Sequence, residues 1–216
     1  MAFDAYDDYE QSELVQKWLR QNGMSIAVGI IIGLIAIFGW QQWRNHQAGH
    51  QMDAAQLYQQ MQTANALGQA DQADKLEMQL QKDYADSAYA VFAASERAQR
   101  QVQAKQFDKA LDSLGWAESH ASDAPLKALV ELRIARVQLA ADKATAALAT
   151  LDRVPAKTYD ALKQELRGDV LVKLGRRDDA RNAYQAALGS LDEQAPQRGA
   201  LQMKLDDLAA AGKQGA

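Results

Sequence analysis

The sequence predicts an all-α protein in which one membrane-spanning helix is followed by a solenoid of helical hairpins. Six of the seven isoleucines lie between Arg20 and Arg44, a stretch without any charged residue. Residues 44–216 contain only 12 valine, isoleucine and threonine residues in 173 positions, whereas 42 of the chain's 216 residues are alanine. Strands are rich in β-branched residues and helices favour alanine, so the region after the apolar stretch is expected to be helical.

The charges divide the chain into unequal parts. Residues 1–23 hold five acidic and two basic residues, a net charge of -3, and residues 44–216 hold 23 acidic and 22 basic residues, a net charge of -1. An overall charge of -4 and an isoelectric point near 5.4 argue against nucleic acid as a partner, because nucleic-acid-binding domains carry a basic surplus. The absence of cysteine excludes disulfides, a thiolate nucleophile and a cysteine-based zinc site.

Residues 24–43 form an uncharged segment that is long enough to cross a bilayer as a helix. A span needs about 20 residues. Trp40 and Trp43 would mark one membrane interface and Trp18 the other, because tryptophan is enriched at both. A buried core helix is usually shorter, and a cleaved signal peptide would begin with basic residues and end in a small-residue cleavage pattern. The segment is therefore expected to remain as an anchor.

Basic residues beside the anchor predict its orientation. Lys17, Arg20 and the amino terminus flank one side and Arg44 the other, and the more basic side faces the cytoplasm. The domains expected from this are an acidic cytoplasmic tail (residues 1–23), a transmembrane anchor (24–43) and a periplasmic domain (44–216) of a bacterial inner-membrane protein.

Gly29 and Gly33 form a G-x-x-x-G pattern within the anchor. Four residues apart, they share one helix face and would let a partner helix approach closely. The alternative is two glycines that face lipid. The pattern predicts a helix–helix contact without indicating whether the partner is a second copy or another protein.

Turn and breaker residues recur through the domain and predict helices of about 12 to 16 residues joined in hairpins. They lie between apolar-periodic runs at Gly68, Asp83–Ser87, Ala121–Pro125, Asp142, Pro155, Gly175 and Pro196.

The strongest periodic signal lies between residues 162 and 188. An apolar residue recurs every fourth position at Leu162, Leu166, Val170 and Leu174, which marks a buried helix stripe, and the next helix is expected from Asp178. Small and aromatic residues in this region match the skeleton of a tetratricopeptide repeat, in which small residues let paired helices cross closely. The residues expected to perform this packing are Gly168, Gly175, Ala180, Tyr184 and Ala187.

The same pattern recurs upstream. Ala110, Ala147 and Ala180 are spaced by 37 and 33 residues, which a 34-residue period with an insertion would explain. A less regular first pair is expected over 52–66 and 70–82, and residues 196–208 are expected to form a C-terminal capping helix, which a repeat array requires. The alternative is ordinary core packing in a helical bundle.

No set of residues predicts catalysis, a cofactor or a metal. His46 and His50 have a helical metal-ligand spacing, but they follow the anchor without an intervening acid, and an interfacial position is preferred. His120 stands alone, the glycines do not form a phosphate-binding loop, and no nucleophile motif occurs. The protein is therefore expected not to be an enzyme. Five aromatic residues could line a partner-binding surface or belong to the core, which is preferred for each: Tyr58, Tyr84, Tyr89, Phe92 and Trp116.

Short sequence segments over nearly the whole chain resemble the YfgM family, ancillary subunits of the bacterial SecYEG translocon with a tetratricopeptide-like periplasmic domain. The segments, in order, are Lys17–Leu19, Asn22–Gly23, Ala27–Gly29, Gly39–Trp40, Trp43, His46–Gln47, Leu132–Gln138, Leu166–Asp169 and Met203–Leu205.

The resemblance implies a single-pass inner-membrane protein that associates with SecYEG and with the membrane-anchored chaperone PpiD. Its expected role is to receive or hand on polypeptides that emerge from the channel, and its cytoplasmic tail would act on a stress-response regulator. Two alternatives remain open: regulation of an envelope stress response through the acidic tail alone, or a scaffold of another envelope complex.

Overall fold

The computed structural model describes residues 4–155 and 159–213, with side chains over 15–155 and 159–209, and within these ranges it contains helices and no strand. This confirms the all-α class. The helices are α1 (Asp4–Ala66), α2 (Ala70–Asp83), α3 (Ala88–Gln103), α4 (Phe107–His120), α5 (Ala124–Ala140), α6 (Ala144–Arg153), α7 (Asp160–Lys173), α8 (Arg177–Gly189) and α9 (Gln197–Lys213).

The chain divides into two compact units between Met52 and Asp53. The first unit contains the apolar stretch of α1, the one helix in the described part of the chain that is long and apolar enough to cross a membrane. Its apolar side chains are exposed, from Ile26 at 38% to Met24 at 79%. Such exposure is typical of a helix that contacts lipid, because water would disfavour it.

The second unit is a stack of hairpins. The end of α1 packs against α2 and α3 through a core that includes Ala54, Met61 and Leu80. The pairs α3–α4, α5–α6 and α7–α8 form the following hairpins, and each successive pair of helices from α2 to α9 is in contact. Leu201 and Leu208 of α9 close the last core, as expected of the capping helix.

The same three-residue turn joins the two helices of each hairpin. Its middle residue adopts a left-handed conformation, with φ of 71°, 57°, 60° and 76° at Gly68, Lys105, Asp142 and Gly175. The next N–H donates to a carbonyl five residues earlier, as in Gln106 to Gln101 at 2.8 Å and Arg176 to Leu171 at 2.9 Å. This hydrogen bond defines a Schellman motif, which satisfies the carbonyls left unpaired at the helix end.

These four turns give the true repeat length. Their middle residues are 37, 37 and 33 residues apart, so the common unit has 37 residues and the last interval is short by four. Helix α6 has 10 residues against 14 in α2 and α4. Helix α7 is also three residues shorter than α5, which the longer connection between α6 and α7 offsets. Removing about one helical turn keeps the remaining residues on the same face. The turns are thus 37, 37 and 33 residues apart, whereas the sequence predicted a 34-residue period with one insertion.

Helix ends follow the sequence signals except at Pro125, at the start of α8 and at residues 104–106. Ser87 and Asp123 cap α3 and α5, where the Asp123 carboxylate accepts from Leu126 N–H at 2.7 Å. Pro125 lies inside the first turn of α5, where its missing N–H has no helical partner in any case. Helix α8 begins at Arg177, and the turn at 104–106 carried no glycine or proline, so sequence analysis did not predict it.

The first helices of the hairpins form the inner face of the domain. Helix α3 contacts α5 and α5 contacts α7, whereas the described second helices α4, α6 and α8 do not contact one another to a comparable extent. Closer approach on one side curves a stack of hairpins toward that side. In such arrays the concave side is the usual binding surface.

Candidate functional site: a groove on the inner face

A groove of about 350 Å³ lies between α3 and α5 on the inner face. Residues of α3 at positions i, i+3, i+4 and i+7 form one wall, because these positions share a helix face. The groove is lined by Ser95, Ala98, Gln99, Val102, Leu114, Arg133, Arg136, Val137 and Ala140. Its volume falls within the range of about 300–1,000 Å³ that is typical of ligand sites.

The chemistry of the groove is an apolar floor below a basic rim. Ala98, Leu114 and Val137 belong to the core of the second hairpin and provide the floor. Arg133 is half-buried and Arg136 is exposed, one helical turn apart on α5. The surface can therefore bury an apolar side chain while it offers planar guanidinium donors to an anionic group.

A hydrogen-bonded set of side chains closes one end of this face. The Tyr58 hydroxyl donates to the Glu96 carboxylate, and Gln62 Nε2 donates to the same Glu96 oxygen at 2.5 Å. Burial, followed by the hydrogen bond to Glu96, raises the pKa of Tyr58 to about 12. Tyr58 is thus a neutral donor that joins the end of α1 to α3.

The five aromatic residues left open by the sequence are half-buried and pack against the first two cores. Tyr58 and Tyr89 lie 5.7 Å apart by ring centroids, and Phe92 lies 6.3 Å from each. Trp116 stacks on His120 at 4.1 Å. None of them lines the groove.

The alanines expected to pack between helices are all inaccessible to solvent in the structure: Ala110, Ala147, Ala180 and Ala187. Gly175 occupies the left-handed turn between α7 and α8. Gly168 faces Tyr184, since a Cβ on Gly168 would lie 2.8 Å from Tyr184 Cζ and closer still to two other ring carbons.

The hydroxyl of Tyr184 extends the same contact into a polar cluster. It donates to Asp169 at 2.7 Å, and Lys204 of α9 donates to Asp169 and Glu165, each at 2.8 Å. Burial opposes the charge on Lys204, but these two carboxylates outweigh it and raise its pKa. The cluster attaches the capping helix to the last hairpin.

The residues expected to act in the membrane lie on the exposed surface of α1. A Cβ at Gly29 or Gly33 would meet no heavy atom within 4 Å, so this face has space for another helix. Trp18, Trp40 and Trp43 are 56%, 62% and 55% exposed, and the rings of Trp40 and Trp43 lie 5.3 Å apart.

Within the described residues, no group of three or more histidine, cysteine, aspartate or glutamate side chains could hold a metal ion. His46 and His50 both lie on α1, and His120 lies at the end of α4 against the Trp116 carbonyl at 2.8 Å. The arrangement found at the groove is suited to binding and contains no nucleophile–base pair.

Two features of the first hairpin escaped sequence analysis. Ala73 is fully buried 37 residues before Ala110, which places this hairpin in register with the others. Glu77 is also fully buried, at the position that Leu114 and Leu151 occupy in the next two hairpins. Counting back in steps of 37 would have found both.

Burial raises the pKa of Glu77 to about 7 against the opposing effect of Arg97 and Arg100. Arg100 lies 3.2 Å from its carboxylate and Arg97 lies 3.6 Å from it. The ion pairs of Arg97 and Arg100 on α3 with Glu77 on α2 therefore join the first hairpin to the second.

Comparisons with known proteins agree with this architecture. A family model described as a tetratricopeptide repeat-like domain matches residues 16–210. The Ancillary SecYEG translocon subunit of Escherichia coli (strain K12) is 33% identical over 94% of this chain and 97% of its own length. Proteins of the same name from Haemophilus influenzae and Neisseria gonorrhoeae are 32% and 29% identical, over 96% and 92% of this chain and 100% and 97% of their own lengths.

No solved structure matches the chain significantly. The family model and the relatives cover both the apolar helix and the hairpins, and the order of these elements is the one that the sequence predicted. The chain belongs to the YfgM family of ancillary SecYEG translocon subunits, which carry a tetratricopeptide repeat-like domain.

Proposed function

We propose that this chain is a single-pass subunit that associates with the SecYEG translocon and presents its hairpin domain to polypeptides leaving the channel. The observation that carries the proposal is full-length similarity to a protein named as an ancillary subunit of that translocon. An inner-face groove with apolar and basic groups supports a role in binding polypeptide. Partnership with the chaperone PpiD belongs to the same proposal.

The anchor supports the membrane part of this proposal. Trp18 and Trp40 are 22 positions apart, which corresponds to about 33 Å along a helix at 1.5 Å per residue. The hydrocarbon core of a bilayer is about 30 Å thick, so both indoles would reach the interfaces. The tail (residues 1–23) would lie in the cytoplasm, the anchor (24–43) in the bilayer and the domain (44–216) in the periplasm.

The face of Gly29 and Gly33 is the proposed contact with a helix of the translocon. Because a Cβ at either position would meet open space, Gly29→Leu/Gly33→Leu would fill this face without disturbing the chain itself. Gly39 is equally unobstructed and lies on another face of the same helix, so Gly39→Leu is the matched control.

The test is co-isolation of SecY, SecE and SecG with the tagged full chain from membranes solubilised in mild detergent. We expect the wild type and Gly39→Leu to retain the translocon subunits and the double glycine variant to lose most of them. Absence of translocon subunits from the intact wild-type complex would refute the proposal. Retention by the double variant would refute only the role of the glycine face.

Regulation through the tail is the second candidate function, and its net charge of -3 is the observation that favours it. An acidic segment can attract a basic surface on a cytoplasmic regulator. Deletion of residues 2–15 should then alter the envelope stress response while translocon association persists. An unchanged response after this deletion would exclude the tail as a regulator.

A further inference from the structure

We propose that the groove between α3 and α5 binds a polypeptide segment in which apolar side chains are flanked by carboxylates. This assignment rests on the proposed function, in which the hairpin domain meets other polypeptides, and it specifies their chemistry. It follows from the charge state of the groove and not from its shape alone.

The arginines of the hairpin domain differ in how they are paired. Six of them form ion pairs with carboxylates within the domain: Arg97, Arg100, Arg153, Arg167, Arg176 and Arg181. Arg198 donates to two backbone carbonyls, at 2.9 and 3.0 Å. Arg133 and Arg136 form no ion pair or hydrogen bond with the residues that the structure describes, and both line the groove.

The nearby acid, Glu96, forms no ion pair with either arginine among the residues that the structure describes. Glu96 precedes the groove residue Gln99 by one turn on α3, but its carboxylate accepts from Tyr58 and Gln62. Arg133 lies close enough to lower the pKa of Tyr58, in opposition to burial and Glu96. The donors of both arginines therefore remain available for an external acceptor.

The position of these donors favours carboxylates beside apolar groups. Arg133 and Arg136 are i and i+3 on α5, a spacing that places side chains about 5–6 Å apart at Cβ. Half-burial of Arg133 above an apolar floor strengthens its attraction for an anion, because the local dielectric is lower than in water. Guanidinium groups bind carboxylates bidentately, and Ala98, Val102 and Val137 would bury the adjacent apolar side chain.

A polyanion such as nucleic acid is disfavoured as the occupant. The domain as a whole has a net charge of -1, whereas nucleic-acid binders combine many basic residues into a patch. Two guanidinium groups over an apolar floor match a short acidic and apolar peptide segment in charge and in size.

The test uses the full chain in lipid nanodiscs and a short fluorescein-labelled peptide with leucine pairs flanked by glutamates. One comparison peptide has glutamine for every glutamate, and a second has serine for every leucine. Fluorescence anisotropy should show that each replacement weakens binding by about tenfold or more, since hydrogen bonds to charged groups and buried leucines each contribute that much. Rising salt should weaken the binding of peptides that carry glutamate and leave the binding of the glutamine peptide unchanged.

Variants locate the site on the molecule. Arg133→Gln/Arg136→Gln should reduce affinity for the glutamate peptide about tenfold or more and abolish the preference over the glutamine peptide. Ala140→Trp, which keeps the charge and fills the groove, should weaken binding of both. Arg176→Gln/Arg181→Gln removes the same charge from α8 and the turn before it, outside the groove, and should leave affinity unchanged.

Three results would overturn the inference: no binding of the glutamate peptide at millimolar concentration, equal affinity for the glutamate and glutamine peptides, or wild-type affinity in the Arg133→Gln/Arg136→Gln chain. Thermal unfolding of each variant shows whether a loss reflects a damaged fold. Co-isolation of SecYEG reports separately on the proposed function, because the groove and the anchor lie in different units of the chain.

Discussion

The aromatic ring of Tyr184 on α8 occupies the space that a side chain at Gly168 on α7 would need. A Cβ at Gly168 would lie within 3 Å of several ring carbons. The preceding hairpins have Ala135 opposite Leu151 and Ala98 opposite Leu114 at the corresponding positions, all buried. The last hairpin has thus exchanged an alanine–leucine pair for a glycine–tyrosine pair of similar total volume.

This exchange predicts that Gly168→Ala destabilises the domain by about 1–3 kcal/mol, the usual effect of overpacking a well-filled core. Urea unfolding of the full chain, followed by circular dichroism, measures it. Gly115→Ala is the control, because Gly115 lies in α4 with open space around it. This change should raise the free energy of unfolding by up to about 1 kcal/mol, since alanine favours the helix more than glycine does.

In a Tyr184→Leu background the effect of Gly168→Ala should shrink to less than about 1 kcal/mol or change sign, since the clash is gone. An equal loss in both backgrounds would show that the ring is not the cause.

The turn at Lys105 predicts a stabilising substitution. Lys105 has φ of 57°, a conformation that costs L-residues about 1–2 kcal/mol, and Gly175 occupies the same place in the last hairpin with φ of 76°. Lys105→Gly should raise the free energy of unfolding by about 0.5–1 kcal/mol after the added entropy of the unfolded chain is included.

By the same reasoning, Gly175→Ala should lower the free energy of unfolding by about 1–2 kcal/mol. The control Lys109→Gly, on the exposed surface of α4, should lower it by about 1 kcal/mol because glycine is a poor helix former. If Lys105→Gly and Lys109→Gly changed the free energy of unfolding in the same direction, the left-handed turn at Lys105 would not be the source of strain.

Glu77 predicts that stability falls as pH rises through the weakly acidic range. Burial raises the pKa of this carboxyl from 4.5 to about 7, so the folded chain retains a proton that the unfolded chain has released. The stabilisation is complete below about pH 4.5 and is lost as pH approaches 7. Arg97, Arg100 and Asp74 are the charged groups that act on Glu77.

The measurement is the free energy of unfolding between pH 5 and 8. Glu77→Gln should reduce the decline in the free energy of unfolding. Part of the decline should remain in this variant because of Glu131, whose pKa is also raised, chiefly by burial and then by Glu118. Met78→Gln, an exposed change beside Glu77, should keep the wild-type slope. If the free energy of unfolding of Glu77→Gln fell with pH as steeply as that of the wild type, other groups would be responsible for the pH dependence.

The lack of cysteine allows a direct test of the proposed topology. Ser12→Cys places one thiol in the tail, and Ala104→Cys places one at an exposed turn of the domain. A membrane-impermeant maleimide should label Ala104→Cys in intact cells and Ser12→Cys only after the membrane is opened. The reverse pattern would place the hairpin domain in the cytoplasm and exclude a role at the channel exit.

Sequence patterns predicted the helices because their signals are local. In the stripe from Leu162 to Leu174, each apolar residue lies about one helical turn from the next. Gly175, in the left-handed turn, follows the last of them directly. The turn at Lys105 was missed for the complementary reason. Lysine gives no local indication of the left-handed conformation that the turn between α3 and α4 adopts at this position.

The candidate site was predicted only in outline. The sequence indicated a repeat array, and such arrays offer a concave surface, but Arg133 and Arg136 were ordinary members of a charged helix. Their lack of carboxylate partners depends on where α1, α3 and α4 place every nearby acid. The five aromatic residues, for which the sequence favoured the core over a partner-binding surface, are packed against the cores.

The sequence by itself determined the helical class, the one apolar segment long enough to cross a membrane in the described part of the chain, the repeat character and the family, because composition, periodicity and matched segments are properties of the chain alone. Only the tertiary structure decided that Gly168 receives Tyr184, that Glu77 is buried, and that two arginines face an open groove. Each of these depends on side chains brought together from separate helices, and burial and pairing arise only at such contacts.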